Sequence, residues 1–227
     1  MENANSIKQI LFDLGVDLCG IADIKRFENA PTGFKPNDIY RECKSVVVFA
    51  KRIPPATLYA LGCIPYTHAN DLITREVDSI TLYASLKLAE KGIGNVLIPS
   101  DDPYEHWESE RMHGQAILSL RHAGYLAGLG VLGKNTLLIN KDYGNMIQIG
   151  AILIDKLIEP DPIADYAVCP PKCSLCLDSC PEGALDGITV IQKSCRQASI
   201  CISPKGYKLK GCYTCRSICP SSLGINN

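Results

Sequence analysis

The chain has 227 residues, 46% of them hydrophobic and 21% charged, with 23 basic against 24 acidic side chains and a formal net charge of −1. This is the balance of an ordinary globular protein, long enough for one large domain or for one medium and one small. It speaks against a nucleic-acid or anionic-membrane binder that works by bulk charge.

The opening stretch MENANSIKQILFDLG lacks the basic flank and apolar core of a signal peptide. The longest apolar run, MIQIGAILI, is short and carries Gln148, so a cytoplasmic protein with no membrane contact is expected.

NSIKQILFDLG carries Ile7, Ile10, Leu11 and Leu14 at helical spacing. DLCGIADI and SVVVFAKRI read as buried strands. In HANDLITREVDSITLYASLKLAEKG, residues Ile73, Val77, Ile80, Ala84 and Leu88 line one helix face, and Gly92 stops it. GNVLIPS is another strand. It runs into IPSDDPYEHWE, which gathers Asp101, Asp102, Tyr104, Glu105, His106 and the only tryptophan. Acids at the carboxyl end of a strand suit proton transfer; the plainer alternative is a helix start with either Asp as N-cap and Pro103 in the first turn. MHGQAILSLRHAGYLAG reads as a second core helix, with His113 and His122 at ordinary helix positions. NTLLINKDYGNMIQIGAILI reads as two strands around the turn at residues 142–145.

Gly128, Gly130 and Gly133 form a G-x-G-x-x-G. A dinucleotide site needs this run after a strand and before a helix. Here the order is inverted, so no such site is expected. The glycines suit either a helix stop or a turn that lets a flat group approach the backbone. His68, His106, His113 and His122 have no metal-ligand spacing.

Twelve cysteines in a cytosolic chain seldom mean disulfides. Cys19, Cys43 and Cys63 are scattered and read as plain thiols, whereas nine crowd into positions 169–219. That shift sets a boundary near residue 160. Within the tail, Cys173, Cys176 and Cys180-Pro181 recur as Cys212, Cys215 and Cys219-Pro220, an offset of 39 positions. In two-cluster ferredoxins the last cysteine of each run serves the other cluster. One [4Fe–4S] set would then be Cys169, Cys173, Cys176 and Cys219. The other would be Cys180, Cys212, Cys215 and either Cys195 or Cys201. Zinc does not explain the paired C-x3-C-P endings. A radical-SAM triad does not fit a run this close to the end of the sequence. Clusters would also supply the constraint that so small a tail lacks.

AGLGVLGKNTLLINKDYGN, IGAILI, CSLCLDSCPEGAL and GCYTCRSICP, in that order, resemble the epoxyqueuosine reductase family. Its cousins include the cobalamin-dependent reductive dehalogenases. GVDLCGIADI and CKSVVVFA look like the family's opening strands. The resemblance implies an α+β chain: a nitroreductase-like cofactor and substrate domain over residues 1–160, then a ferredoxin-like module with two [4Fe–4S] clusters over 161–227. It favours Cys195 over Cys201 and hands the catalytic acid to Asp102 or Asp101. Three features depart from the family. Val131 stands where a tryptophan is usual, one extra residue separates Cys169 from Cys173, and no helical-repeat tail follows Pro220.

The expected function is an iron–sulfur oxidoreductase. It would take electrons from a ferredoxin- or flavodoxin-type donor and pass them through both clusters to cobalamin and a small-molecule substrate. Gly128, Gly130, Gly133 and Lys134 would face the cofactor, and Asp102, Asp101 or Tyr104 would supply a proton. Balanced charge and the missing tail argue that tRNA is not a partner. The alternatives are an electron carrier with no chemistry of its own and a tRNA epoxyqueuosine reductase.

Overall fold

The computed structural model describes residues 3–104 and 106–225. Helix α1 (Ala4–Asp13) begins where Asn3 and Ser6 cap each other. The Ser6 N–H donates to Asn3 Oδ1 at 2.9 Å and the Asn3 N–H to Ser6 Oγ at 3.1 Å, satisfying two donors that a helix start leaves unpaired. Strand β1 (Leu18–Asp23), a short helix α2 (Pro36–Ile39) and strand β2 (Ser45–Arg52) follow. The long helix α3 (Ile64–Glu90) leads to strand β3 (Asn95–Ile98). Next come the hairpin strands β4 (His106–Glu108) and β5 (His113–Gln115), helix α4 (Leu120–Leu126) and the paired dipeptides β6 (Val131–Leu132) and β7 (Leu138–Ile139). Strand β8 (Ile147–Ile154) then inserts between β2 and β3. The sheet order is β1-β2-β8-β3, antiparallel throughout.

The middle of each central strand, residues 46–50 and 149–154, is apolar because both faces are covered. Val47, Phe49, Ile152 and Ile154 pack with Ile7 and Leu11 of α1 and with Val77, Ile80, Ala84 and Leu88 of α3. Val46, Val48, Ala151 and Leu153 point the other way, into Ala123, Ala127, Leu129 and Leu138. The alternation follows from the two-residue repeat of a strand.

Three local expectations change. The helix expected from Met112 is the β4–β5 hairpin followed by a much shorter α4, so His113 lies on a strand and only His122 on a helix. The two strands expected around the 142–145 turn exist, but they do not pair with each other: β7 pairs with β6, and β8 joins the main sheet. No helix starts at Asp101 or Asp102; the chain continues into β4. Glu105 lies outside the described residues.

Residues 156–174 form no helix or strand. Asp161 fastens this linker to the sheet edge. Its N–H donates to the Ile21 carbonyl at 2.9 Å, its carboxylate accepts the Ile21 N–H at 2.8 Å and pairs with Lys8, and its carbonyl accepts Arg26 at 2.7 Å. The tail then adds helices α5 (Leu175–Asp178) and α6 (Gln192–Ser199), hairpin strands β9 (Ile200–Ile202) and β10 (Lys208–Lys210), and helix α7 (Thr214–Ser217).

The cysteine repeat is a structural repeat. The Leu177 N–H to Ser174 carbonyl bond at 2.8 Å recurs 39 positions on, from Arg216 to Tyr213 at 3.0 Å. Those from Asp178 and Ser179 recur from Ser217 and Ile218. Among the described residues, no helix is long and apolar enough to cross a membrane.

Candidate iron–sulfur centres and the cleft beside them

Cys169, Cys173, Cys176 and Cys219 line one small cavity, together with Lys134, Asn135 and Val168. Its thiols therefore come from the linker, the first repeat and the end of the second. The Pro170 carbonyl accepts the Cys173 N–H at 2.9 Å, so the extra residue in the first gap is taken up by a turn. Burial raises the pKa of Cys176 and of Cys219, and the neighbouring thiols of the set raise both further. The Lys134 N–H donates to Cys169 Sγ at 3.4 Å.

The second grouping is Cys180, Cys195, Cys212 and Cys215. Burial pushes Cys215 up to about 11; Arg216 opposes this, while Cys195, Cys212 and Cys180 add to it. Cys195 is raised by burial and again by Cys180 and Cys212, against its hydrogen bond with Ser199. Cys201 stands elsewhere, on β9 beside Cys63 and Gly211. The geometry thus sets Cys195, on α6, with the other three. Cys19 and Cys43 stay apart from both groups, and burial pushes them up to about 12 and about 11.

Among the described residues, no three His, Cys, Asp or Glu side chains converge on a single metal ion. The first thiol set lines one shared cavity, and four cysteines without a histidine are the ligand set of a [4Fe–4S] core. Mutually repelling thiolates are also what a cationic iron–sulfide core neutralises. The donor sets fit [4Fe–4S] clusters.

A cleft of about 500 Å³ opens beside the second set, with Cys212 in its wall. Asp101, Asp102 and Tyr104 line it, facing Arg196, Lys208, Lys210 and Arg216. The acids are held there by Ser100. Its N–H donates to Asp78 at 3.0 Å and its hydroxyl to the Thr74 carbonyl at 3.3 Å, while its carbonyl accepts Gln148 of β8 at 3.2 Å. The Asp101 carboxyl is open to the cleft, yet the cleft walls raise its pKa by desolvation. Lys210 opposes that rise and Asp102 reinforces it.

Tyr104 packs flat on Gly114 of β5, where a Cβ would lie 2.7 Å from the ring. Gln192 of α6 holds the same glycine, donating to its carbonyl and accepting its N–H, both at 2.9 Å. One turn on, Arg196 donates to the Tyr104 hydroxyl at 3.3 Å and sits 5.1 Å from the Trp107 ring centre. Helix α6 therefore carries a thiol of the second set and a cation of the cleft on successive residues. Of the basic members of the cleft, Lys208, Lys210 and Arg216 were legible in the sequence as a small local patch; Arg196, which stands apart from them on α6, was not.

The glycine turn does not open onto this cleft. A Cβ on Gly128 would lie 2.2 Å from the Pro162 carbonyl oxygen, on Gly130 2.5 Å from that of Ile139, and on Gly133 2.5 Å from the Ile139 side chain. The close approach that these glycines allow is that of the chain's own backbone. Gly128, at φ +77, also ends α4. The space that a Cβ would take at each of the three glycines is thus filled by the chain itself. Lys134 contacts the first thiol set instead of the cleft.

No family model matches the chain. It is 34% identical to the epoxyqueuosine reductase of Staphylococcus aureus (strain NCTC 8325 / PS 47) over 131 residues, 52% of this chain and 33% of that protein. It is 36% identical to that of Lactococcus garvieae (strain Lg2) over 111 residues, 44% and 31%. The matched stretch spans about a third of the length of these curated relatives. The epoxyqueuosine reductase structure from Streptococcus thermophilus superposes with a TM-score of 0.67 at 20% identity, over 99% of this chain and 67% of that one. A catabolic reductive dehalogenase gives 0.70 at 17%, over 98% and 32%.

A further neighbour is an epoxyqueuosine reductase with an epoxyqueuosine-modified tRNA stem loop, at TM-score 0.64 and 19% identity over 96% of this chain and 64% of that one. It overturns the expectation that tRNA is not a partner. The physical fault in that expectation is to weigh the small patch of Lys208, Lys210 and Arg216 against the balanced total charge: the fold adds Arg196 and gathers all four cations at one cleft. The chain thus resembles the epoxyqueuosine reductases in sequence and shares its mixed helix-and-strand fold with them and with reductive dehalogenases.

Proposed function

We propose that this chain is an iron–sulfur oxidoreductase of the epoxyqueuosine reductase type, acting on an epoxyqueuosine nucleotide of tRNA. Residues 1–160 form a nitroreductase-like domain and residues 161–227 a ferredoxin-like module with two [4Fe–4S] clusters. The observation that carries this reading is the shared wall of the cleft, where Cys212 and the acids Asp101 and Asp102 face one space. A plain electron carrier has no use for such a space. A tRNA nucleotide, with its phosphates, also suits Arg196, Lys208, Lys210 and Arg216 better than a small molecule without phosphates.

The clusters, when bound, supply one-electron transfer from a ferredoxin- or flavodoxin-type donor. The first thiol set lies away from the cleft and would receive the electron; the second would deliver it. Taking the oxygen out of an epoxide to leave an alkene requires two electrons, one from each cluster, and two protons, and the oxygen departs as water. Asp101, with its raised carboxyl, holds the first of those protons at the cleft, with Asp102 and the Arg196-braced Tyr104 beside it for the second. Cobalamin, which another dehalogenase neighbour uses, would have to take the cleft instead of the glycine turn, so no step here depends on it.

Anaerobic reconstitution tests the metal half of the reading: about eight irons per chain with matching sulfide and a [4Fe–4S] Mössbauer spectrum are expected. Stoichiometric zinc without sulfide would end it. For the substrate half, an epoxyqueuosine tRNA stem loop should bind, and a Lys208→Gln/Lys210→Gln double variant should bind it less tightly and with a shallower salt dependence. Equal binding by both proteins would remove the cleft from the tRNA contact.

A further inference from the structure

We propose that Lys134 tunes the cluster of Cys169, Cys173, Cys176 and Cys219, holding its reduction potential above the value the thiolates alone would set. The inference rests on reading that thiol set as a [4Fe–4S] site. Lys134 sits at the tip of the β6–β7 pair, in a turn closed by the Thr136 N–H on the Gly133 carbonyl at 2.9 Å and the Gly133 N–H on Leu137 at 3.0 Å. Its backbone N–H points at Cys169 Sγ. Its ammonium folds back over the same site, donating to the Cys173 carbonyl at 2.8 Å and the Pro171 carbonyl at 3.4 Å. One residue on, Asn135 reaches toward the other set, donating to the Cys215 carbonyl at 3.0 Å.

This turn therefore treats the two sets unequally. The first receives a cation and an N–H on sulfur; the second receives a neutral amide on a carbonyl. Taking up one electron adds a negative charge to a site already ligated by four thiolates. A cation fixed at its edge stabilises that reduced form more than the oxidised one, and so raises the potential. Lys134 is partly buried, which limits screening by solvent and salt. Its role is electrostatic positioning, not contact with substrate.

The test is an anaerobic redox titration of the reconstituted full chain, followed by EPR, with a low-potential one-electron reductant. Wild-type protein should show two one-electron waves; absence of iron, sulfide and both waves would refute the cluster reading itself, independently of Lys134. In Lys134→Gln, which keeps a donor for the Cys173 carbonyl but removes the charge, the reduced-to-oxidised ratio of one cluster at fixed potential should fall about tenfold, ~59 mV for a one-electron couple. The other wave should stay in place, and Lys134→Arg should restore the first. Lys134→Met serves if the Gln variant does not retain full iron. Waves within twofold of wild type in the variant that keeps its iron would overturn the proposal. So would loss of iron in both variants, which would make Lys134 an assembly residue.

Discussion

At Asp101 one carboxyl combines a cleft position with a raised pKa, the desolvation coming from the walls that leave it open to substrate. A proton donor must be protonated to work, so a raised pKa extends its working range upward. The rate should fall as pH climbs through that raised value, at a pH above the ordinary carboxylate range. Asp101→Asn should lose that limb and about 10²-fold of turnover; a pH–rate profile unchanged by the substitution would move the proton to Asp102 or Tyr104. The pair was legible in the sequence as acids leaving a strand, but the burial that raises Asp101 comes from a cleft whose other wall is built by the tail, and the opposing charges are Lys210, Lys208 and Arg196. The same holds for the eighth cysteine of the proposed cluster sets. Spacing alone left Cys195 and Cys201 open, whereas the fold puts one beside Cys180 and Cys212 and the other beside Cys63. Cys195→Ala should therefore cost about four of the eight irons, and Cys201→Ala none. Iron assay of the two variants decides, and the reverse pattern would exchange the two residues.

The strands of the central sheet could be read as elements because burial on both faces leaves each with a largely apolar run. The helix expected from Met112 was misread: Ile117, Leu118 and Leu120 cover the sheet from a loop and only the start of α4. The signal against a helix was Gly114, whose missing side chain makes room for the Tyr104 ring. Gly114→Val should push that ring away and break the Gln192 bonds, lowering activity at least tenfold while iron content is kept; loss of iron in step with activity would show that the hairpin supports the cluster instead. The glycine turn was legible as a place of close approach, but not what approaches. Gly128→Ala and Gly130→Val should each destabilise the fold by more than about 1 kcal/mol, through contact with Pro162 and Ile139. Thermal unfolding measures this, and unchanged stability with weaker cobalamin binding would restore the turn as a cofactor seat.

At the scale of the whole molecule, body and tail are tied through the site. Tyr66 stacks on Tyr213 at 4.0 Å, the Lys210 N–H donates to Thr67 at 2.9 Å, and Arg216 reaches the Asn145 carbonyl. These contacts assemble the cleft from segments near residues 66, 101, 196 and 210. Composition could not reveal it, because a balanced total charge is compatible with an acidic wall facing a basic one. The proposed function rests on that assembly: electrons would arrive from the cysteine sets on one side of the cleft and protons from the acids on the other. The direct measurement is a single-turnover reaction without oxygen, in which the pre-reduced, cluster-loaded chain meets an epoxyqueuosine tRNA stem loop. The reduced-cluster EPR signal should decay as the nucleoside converts to queuosine, and Cys212→Ser should abolish both. A reduced signal that persists, with the nucleoside mass unchanged, would contradict the account.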